Sequence, residues 1–280
     1  MKNIPVILVC YNRPRHTLEV LKALKEHNIQ NLIIFSDAPK SEKELQNVLK
    51  TRSLFANITW TKPEIVLQKE NQGLAKSIVS AVNYALEKYD RMILLEDDCI
   101  PKRYFFDFME KCLMKYADNE RIFGITGYSV PVPSDLLNDY PYDIYFYPRM
   151  GSWGWATWKS IWKLYDSDLE KLYNAAIDKQ IDLTQGGADI PGNVQRMLNG
   201  DLKDVWTLNW VLTVYLNKGY YIYPTVSHID NIGLDGSGIH CGKSNQFATV
   251  FADRSPKHFP EDIIINEALI NNYKRFFGPI

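Results

Sequence analysis

Short apolar runs alternate with helical patterns through the first hundred residues of the chain. Ile4 to Cys10 reads as a buried strand, and Thr17 as the cap of a helix carrying Leu18, Leu21 and Leu24 on one face. Leu32 to Phe35 predicts a second strand, ending at Ser36 and Asp37. Ser41 and Glu44 form a capping box that opens a second helix, and Glu64 to Leu67 predicts a partly exposed third strand. After Gly73, the residues Leu74, Ile78, Val82, Leu86 and Tyr89 recur at helical spacing and lead into the apolar run Arg91 to Leu95. Successive βα units of this kind predict a parallel sheet with right-handed crossovers.

A helix from Tyr104 to Tyr116 and a strand from Ile122 to Thr126 follow, and then the pattern changes. Tyr140 to Tyr147 is rich in tyrosine. Trp155, Trp158 and Trp162 stand at i, i+3 and i+7, which predicts one helix face packed into the core. Trp153, in the turn Gly151 to Gly154, is better placed to face a sugar. Asp166 to Gln185 is polar and weakly periodic, and Gly186, Gly187, Pro191 and Gly192 predict a long mobile loop. A helix from Trp206 to Asn217 and a strand from Tyr220 to Pro224 precede the glycine-rich segment Ser227 to His240, whose backbone can approach a ligand closely. The pattern divides into 1–126, 127–246 and a covering extension 247–280 with an amphipathic stretch from Ile263 to Tyr273.

Composition adds bounds. With 280 residues, 46% of them hydrophobic, the chain can bury a large α/β core. Lys plus Arg number 32 against 33 Asp plus Glu, so no basic footprint points to a nucleic-acid partner. The first apolar stretch is too short for a secretory segment and no later one reaches the length of a membrane span, which predicts a cytoplasmic protein. The cysteines Cys10, Cys99, Cys112 and Cys241 form no CxxC pair, so reduced thiols are expected.

The candidate chemistry lies where the run Arg91 to Leu95 ends in Glu96, Asp97 and Asp98. Ligands of open α/β sheets bind in the crevice at the carboxyl ends of the strands, and Tyr11 to Arg13 and Asp37 end neighbouring strands. The plain alternative for such acids is a solvated turn or a cap for the next helix. The functional one is a site for Mg²⁺ or Mn²⁺ holding a substrate diphosphate through hard oxygen ligands.

Several motifs then fall in a common order: Tyr11-Asn12-Arg13-Pro14, Asp37, Glu96-Asp97-Asp98, Gly154-Trp155-Ala156 and Asp204 to Trp210. Together they resemble the nucleotide-sugar glycosyltransferases of GT-A fold, above all the branch related to N-acetylglucosaminyltransferase I and bacterial family 2-like sugar transferases. The resemblance implies an α/β fold with a Rossmann-like, mixed, mainly parallel sheet flanked by helices. It makes 1–126 the nucleotide-sugar half and 127–246 the aromatic-rich acceptor half of one domain. It also implies a metal-dependent, inverting glycosyltransferase that uses a UDP-sugar in cell-surface polysaccharide synthesis.

Carried over by position, Tyr11, Arg13 and Asp37 would contact the nucleotide, with Asp37 accepting from the base. Glu96 and Asp97 would face the sugar and ribose. Asp98 would ligate Mn²⁺ or Mg²⁺, with His240 completing the metal shell. Asp204 is the candidate general base and Asp235 the reserve, because Val205 stands where the eukaryotic enzyme has its base and Thr207 replaces an acid of bacterial relatives. The acceptor would be a saccharide or a lipid-linked saccharide, the latter bringing the protein to the inner face of the membrane. The competing readings are nucleotidyl transfer, which usually needs a glycine-rich turn where Tyr11 to Pro14 has none, and a degenerate domain that only binds sugar or acts as a scaffold.

Overall fold

The computed structural model describes residues 4–236 and 246–278. From the N-terminus come β1 (Val6–Cys10), α1 (Pro14–Glu26), β2 (Leu32–Ser36), α2 (Glu42–Ser53), β3 (Glu64–Leu67), α3 (Gly73–Lys88), β4 (Arg91–Glu96), β5 (Cys99–Pro101), α4 (Phe105–Lys115) and β6 (Ile122–Thr126). The later part adds β7 (Ile144–Tyr147), β8 (Trp155–Trp158), α5 (Lys159–Trp162), α6 (Leu169–Asp178), α7 (Asp189–Leu198), α8 (Trp206–Leu216), β9 (Tyr220–Pro224), β10 (Ile229–Asn231) and α9 (Glu267–Phe276).

Among the described residues the main sheet has eight strands in the order β3-β2-β1-β4-β8-β6-β9-β7, and β5 pairs with β10 in a two-stranded ribbon. The strands β3, β2, β1 and β4 are parallel. Strand β8 enters antiparallel between β4 and β6, β9 runs parallel to β6, and β7 closes the far edge antiparallel to β9. This is the mixed, Rossmann-like sheet with flanking helices expected of the GT-A class. The sheet is continuous across residue 126, since β4 from the first half pairs directly with β8 from the second.

Burial explains the pattern. In β4, Met92 to Leu95 are buried between β1 and β8, and a strand covered on both faces has no need of alternation. Helix α3 buries Ile78, Ala81, Val82, Ala85 and Leu86 against the sheet. Helix α8 is apolar on all sides and almost wholly buried, as a central helix must be, with Trp210 donating to the Tyr221 hydroxyl. The segment after Phe247 packs along the outside. Tyr128 donates to its Phe247 carbonyl at 3.1 Å, Tyr116 to that of Pro260 at 2.7 Å, and Tyr273 of α9 lies 4.1 Å from the Tyr147 ring.

Several expectations are corrected. Helix α1 begins at Pro14, three residues before Thr17, because a proline at the first helical position loses no hydrogen bond and fixes the turn. Thr17 is buried inside the helix and its hydroxyl donates to the Arg13 carbonyl at 2.9 Å, while Leu18 points outward and Val20 fills the core face. Ser41 does precede α2, but its side chain caps nothing, and Glu44 reaches Tyr11 and Asn12 instead.

Trp155 and Trp158 belong to strand β8 and not to a helix. The core role holds, since the Trp155 ring lies 5.3 Å from Trp206 and 5.9 Å from Trp162. The predicted loop around Pro191 is mostly helix α7, whose first turn accommodates the proline, and α6, capped by Asp168, occupies the polar stretch before it. In the C-terminal stretch the helix is α9, so Ile263 to Asn266 precede it. Cys10, Cys99 and Cys112 are buried free thiols, and Cys241 lies outside the described residues.

Gly124 of β6 stands where the neighbouring strands leave no room for a side chain. A Cβ there would stand 2.6 Å from the Tyr221 ring and 2.7 Å from the Ala156 carbonyl oxygen, at the point where the β6–β9 register shifts. Gly124→Ala is therefore expected to cost about 1–3 kcal/mol by overpacking. Urea unfolding checks this, and unchanged stability would mean that the three strands can part without loss.

Candidate active site

Strand direction gathers the predicted residues at one edge of the sheet. The carboxyl ends of β1, β2 and β4 deliver Tyr11 to Arg13, Asp37 and Glu96 to Asp98. Because β8 runs antiparallel, its beginning, with Trp153 and Gly154 just before it, returns to the same edge, where Trp155 pairs with both Leu94 and Thr126. The β5–β10 ribbon then brings the later chain across the acids, and Ile232 N–H donates to the Asp98 carbonyl at 2.9 Å.

Arg13 joins the acid cluster. Its guanidinium pairs with Asp97 Oδ1 and, at 2.9 Å, with Asp98 Oδ2, while Tyr11 N–H donates to Asp97 Oδ2 at 3.3 Å. Burial alone would lower the Arg13 pKa, but Asp97 and Asp98 hold it well above the usual range. Asp97 itself is raised by burial, with Arg13 pulling the other way. Glu96 lacks such help. Burial first, then Asp98 and Asp97, push its carboxyl up to about 8, and no hydrogen bond reaches it among the described residues.

The structure gives Asp37 and Asp204 a shared occupation that their expected roles do not include. Asp37 accepts from Gln72 N at 2.9 Å and Gly73 N at 3.0 Å, and Asp204 accepts from Leu74 N and Ala75 N, each at 2.8 Å. These are the orphan amides at the start of α3, so two carboxylates share one helix N-terminus and favour its positive dipole end. Each such cap is worth about 1 kcal/mol. Asp204 holds its position at φ +66°, an uncommon conformation for a residue with a side chain. Asp37 also accepts from Ala38 N at 2.8 Å and Asn71 Nδ2 at 3.0 Å, and is only 6% exposed.

Tyr11 donates to Glu44 Oε2 at 2.8 Å and accepts from Lys40 N at 2.9 Å; burial, and then Glu44, push its hydroxyl up to about 12. Trp153 is half-buried, with the Tyr128 ring at 4.5 Å and the Phe247 ring at 5.2 Å. Asp235 is about half exposed and lies 3.2 Å from His16 Nε2. His240 falls outside the described residues.

Two further residues shape this edge that were not among the candidate site residues. Gly73 opens α3 at φ +76°, a conformation that suits glycine, and Arg52 binds the carbonyls of Ser36, Asp37 and Gln68 at 3.0 to 3.2 Å. The polar run Asn71-Gln72-Gly73 was the available sign of the first. Arg52 carries no sign beyond its place on a helix.

Among the described residues, no three His, Cys, Asp or Glu side chains converge into a ready-made cation cage. A hard divalent ion needs less, since one or two carboxylates suffice when substrate phosphates and water supply the other positions. Carboxylate oxygens in excess over the single guanidinium, with Glu96 left unpartnered, fit an added cation in donor type and in charge. Asp98, at the rim with 14% of its side chain exposed, is the member placed to meet one.

No protein-family model and no curated protein matches the sequence. Among solved structures, the mannosyltransferase PcManGT from Pyrobaculum calidifontis, in complex with GDP-Man and Mn²⁺, aligns over 62% of this chain and 52% of its own at 16% identity and TM-score 0.39. The chain thus spans about half the length of that protein. A Bacillus anthracis protein assigned as a glucose-1-phosphate thymidylyltransferase, in complex with a sucrose, aligns over 82% of this chain and 90% of its own at 10% identity and TM-score 0.42. HddC from Yersinia pseudotuberculosis aligns over 56% and 77%, respectively, at 13% identity and TM-score 0.36.

Glu96 gives stability a pH dependence. The folded protein keeps this proton up to about 8, whereas the unfolded chain releases it near the ordinary value of 4.5. Between those values the folded state binds more protons, so its stability falls as pH rises. Glu96→Gln, neutral throughout, is expected to lose less melting temperature than the parent between pH 5 and pH 9. Parallel pH profiles would show that Glu96 ionises normally.

Proposed function

We propose that the protein is a nucleotide-sugar-dependent glycosyltransferase that moves a sugar from a UDP-sugar to a saccharide or lipid-linked saccharide in cell-surface polysaccharide synthesis. The observation that carries this is the crowding of Glu96, Asp97 and Asp98 at the exit of a central strand, beside Arg13 from the parallel strand next to it. Such a cluster at a strand-end crevice suits a diphosphate brought in with a cation. A divalent ion on Asp98 would supply Lewis-acid stabilisation to the departing diphosphate oxygens.

The chain's own residues take the remaining parts. Arg13 would bind phosphate oxygens, and Glu96 and Asp97 would hold the hydroxyls of the donor sugar and ribose. Tyr11 would line the base pocket. Asp37 would shape that pocket by fixing the α3 turn, because its oxygens are already engaged by amides and Asn71. Trp153, with Tyr128 and Phe247, would form an aromatic wall for the acceptor.

Transfer with inversion needs a base that takes the proton from the acceptor hydroxyl. The hydroxyl oxygen then attacks the anomeric carbon while the bond to diphosphate breaks and its electron pair leaves with the diphosphate. We assign this base to Asp235, whose carboxylate is about half exposed and lies 3.2 Å from His16 Nε2, and a helix-capping role to Asp204. Asp235→Asn should therefore lower kcat by about a hundredfold or more. Asp204→Asn, which keeps an acceptor oxygen for α3, should retain most of the turnover. The opposite ranking in a sugar-transfer assay would return the base to Asp204.

Thermal unfolding against a panel of nucleotide sugars, with Mn²⁺ and with chelator, tests the assignment as a whole. One UDP-sugar should raise Tm by mass action, and chelation or Asp98→Asn should remove the shift while leaving the unliganded Tm in place. Absence of a shift with every nucleotide sugar would refute the assignment and favour a scaffold role. No helix among the described residues is long and apolar enough to cross a membrane.

A further inference from the structure

The backbone of Arg13 is fixed by α1, and among the described residues its side chain is held by the acids alone. Its carbonyl accepts from Thr17 N at 3.0 Å and Thr17 Oγ1 at 2.9 Å, and Pro14 fixes the next residue as the first of α1. From this base the guanidinium spans Asp97 and Asp98. The chain at Gly233 then closes over the pair: a Cβ on Gly233 would stand 2.1 Å from Asp98 Oδ2 and 3.1 Å from an Arg13 guanidinium nitrogen. Asp98 is therefore engaged from two sides, and the Asp98 oxygen that a metal would seek already holds a cation.

We propose, on the metal-dependent reading above, that Arg13 is a resident counter-cation. It keeps Asp98 closed to a divalent ion until a diphosphate arrives to take the guanidinium in exchange, so that metal and nucleotide enter together. Charge decides the order. A divalent ion alone must either sit beside the guanidinium or displace it from Asp98 while it stays close by on Asp97, and both are unfavourable, the first by repulsion and the second by loss of a charge-assisted contact. A nucleoside diphosphate removes the conflict, because its oxygens match the planar fork of the guanidinium while sharing the metal with Asp98.

Arg13 is thus a positioning residue for the metal as well as a phosphate ligand. These two parts pull Mn²⁺ affinity in opposite directions when Arg13 is removed. A side chain that served only the nucleotide would leave the affinity for metal alone unchanged. One that served only to hold the fold would weaken both.

The test measures Mn²⁺ binding to the full chain by the electron paramagnetic resonance of the free ion, with and without UDP, and again with GDP in place of UDP. The parent should bind Mn²⁺ weakly alone and at least about tenfold more tightly with a nucleotide, within the usual range of site-to-site coupling. Arg13→Gln, shown to be folded by its thermal transition, should bind Mn²⁺ alone at least about fivefold more tightly than the parent and lose most of the nucleotide coupling. Arg13→Lys, which keeps the charge without the fork, should fall between them, and it decides the matter if Arg13→Gln does not fold.

If the parent shows nucleotide-coupled Mn²⁺ binding but neither variant gains affinity for Mn²⁺ alone, the counter-cation role is overturned and the metal-dependent reading stands. If the parent binds no Mn²⁺ with either nucleotide, both fall together.

Discussion

Three consecutive carboxylates at the end of a buried strand cannot all be charged unless something positive is brought to them. The chain meets that constraint with one guanidinium from the adjacent parallel strand, and does so incompletely. Asp97 and Asp98 are paired with Arg13, whereas Glu96 is held protonated toward neutral pH by burial and by its neighbours. Ion pairs of this depth contribute little net stability, because the desolvation of each charge offsets the attraction. They set the electrostatic character of the place instead. An edge that stays short of positive charge after its own arginine is counted is an edge suited to an incoming cation, and to the anion that travels with it.

The start of α3 imposes the second constraint. A helix beginning in a crevice exposes amides that must find acceptors, and here the acceptors come from two distant points of the chain. Asp37 and Asp204 thus both carry a capping role that position alone did not show. An acid at a strand end can serve a ligand or a neighbouring helix, and sequence does not show which partner lies nearer. The carboxyl of Asp204 sits 130 and 129 positions from the two amides it caps.

The parallel half of the fold was legible because β1, β2 and β4 are buried on both faces and α1 and α3 each carry one apolar stripe. The places where legibility failed share a cause. Trp155, Trp158 and Trp162 have helical spacing, yet Trp155 and Trp158 lie on a strand whose position between β4 and β6 is a tertiary fact. Helix α7 contains Pro191 and Gly192, which argue against a helix until the proline is seen to lie in the first turn, where it costs nothing. Within the site, residue types at strand ends were readable. Hydrogen-bond partners were not, and the pairing of Arg13 with Asp97 and Asp98 reassigns the most.

The long-range cap on α3 also bears on how the chain can be divided. Residues 1–126 contain the four adjacent parallel strands β3, β2, β1 and β4 and invite transplantation as a module, with a different second half attached. Severed at that boundary, they would lose both the strand that lies beside β4 and the carboxylate that anchors the first turn of α3. Any chimera built on this scaffold would have to carry Asp204, two residues before α8, together with residues 1–126. The sensible unit of exchange is a surface set of loops, and a sequence-contiguous half is not one.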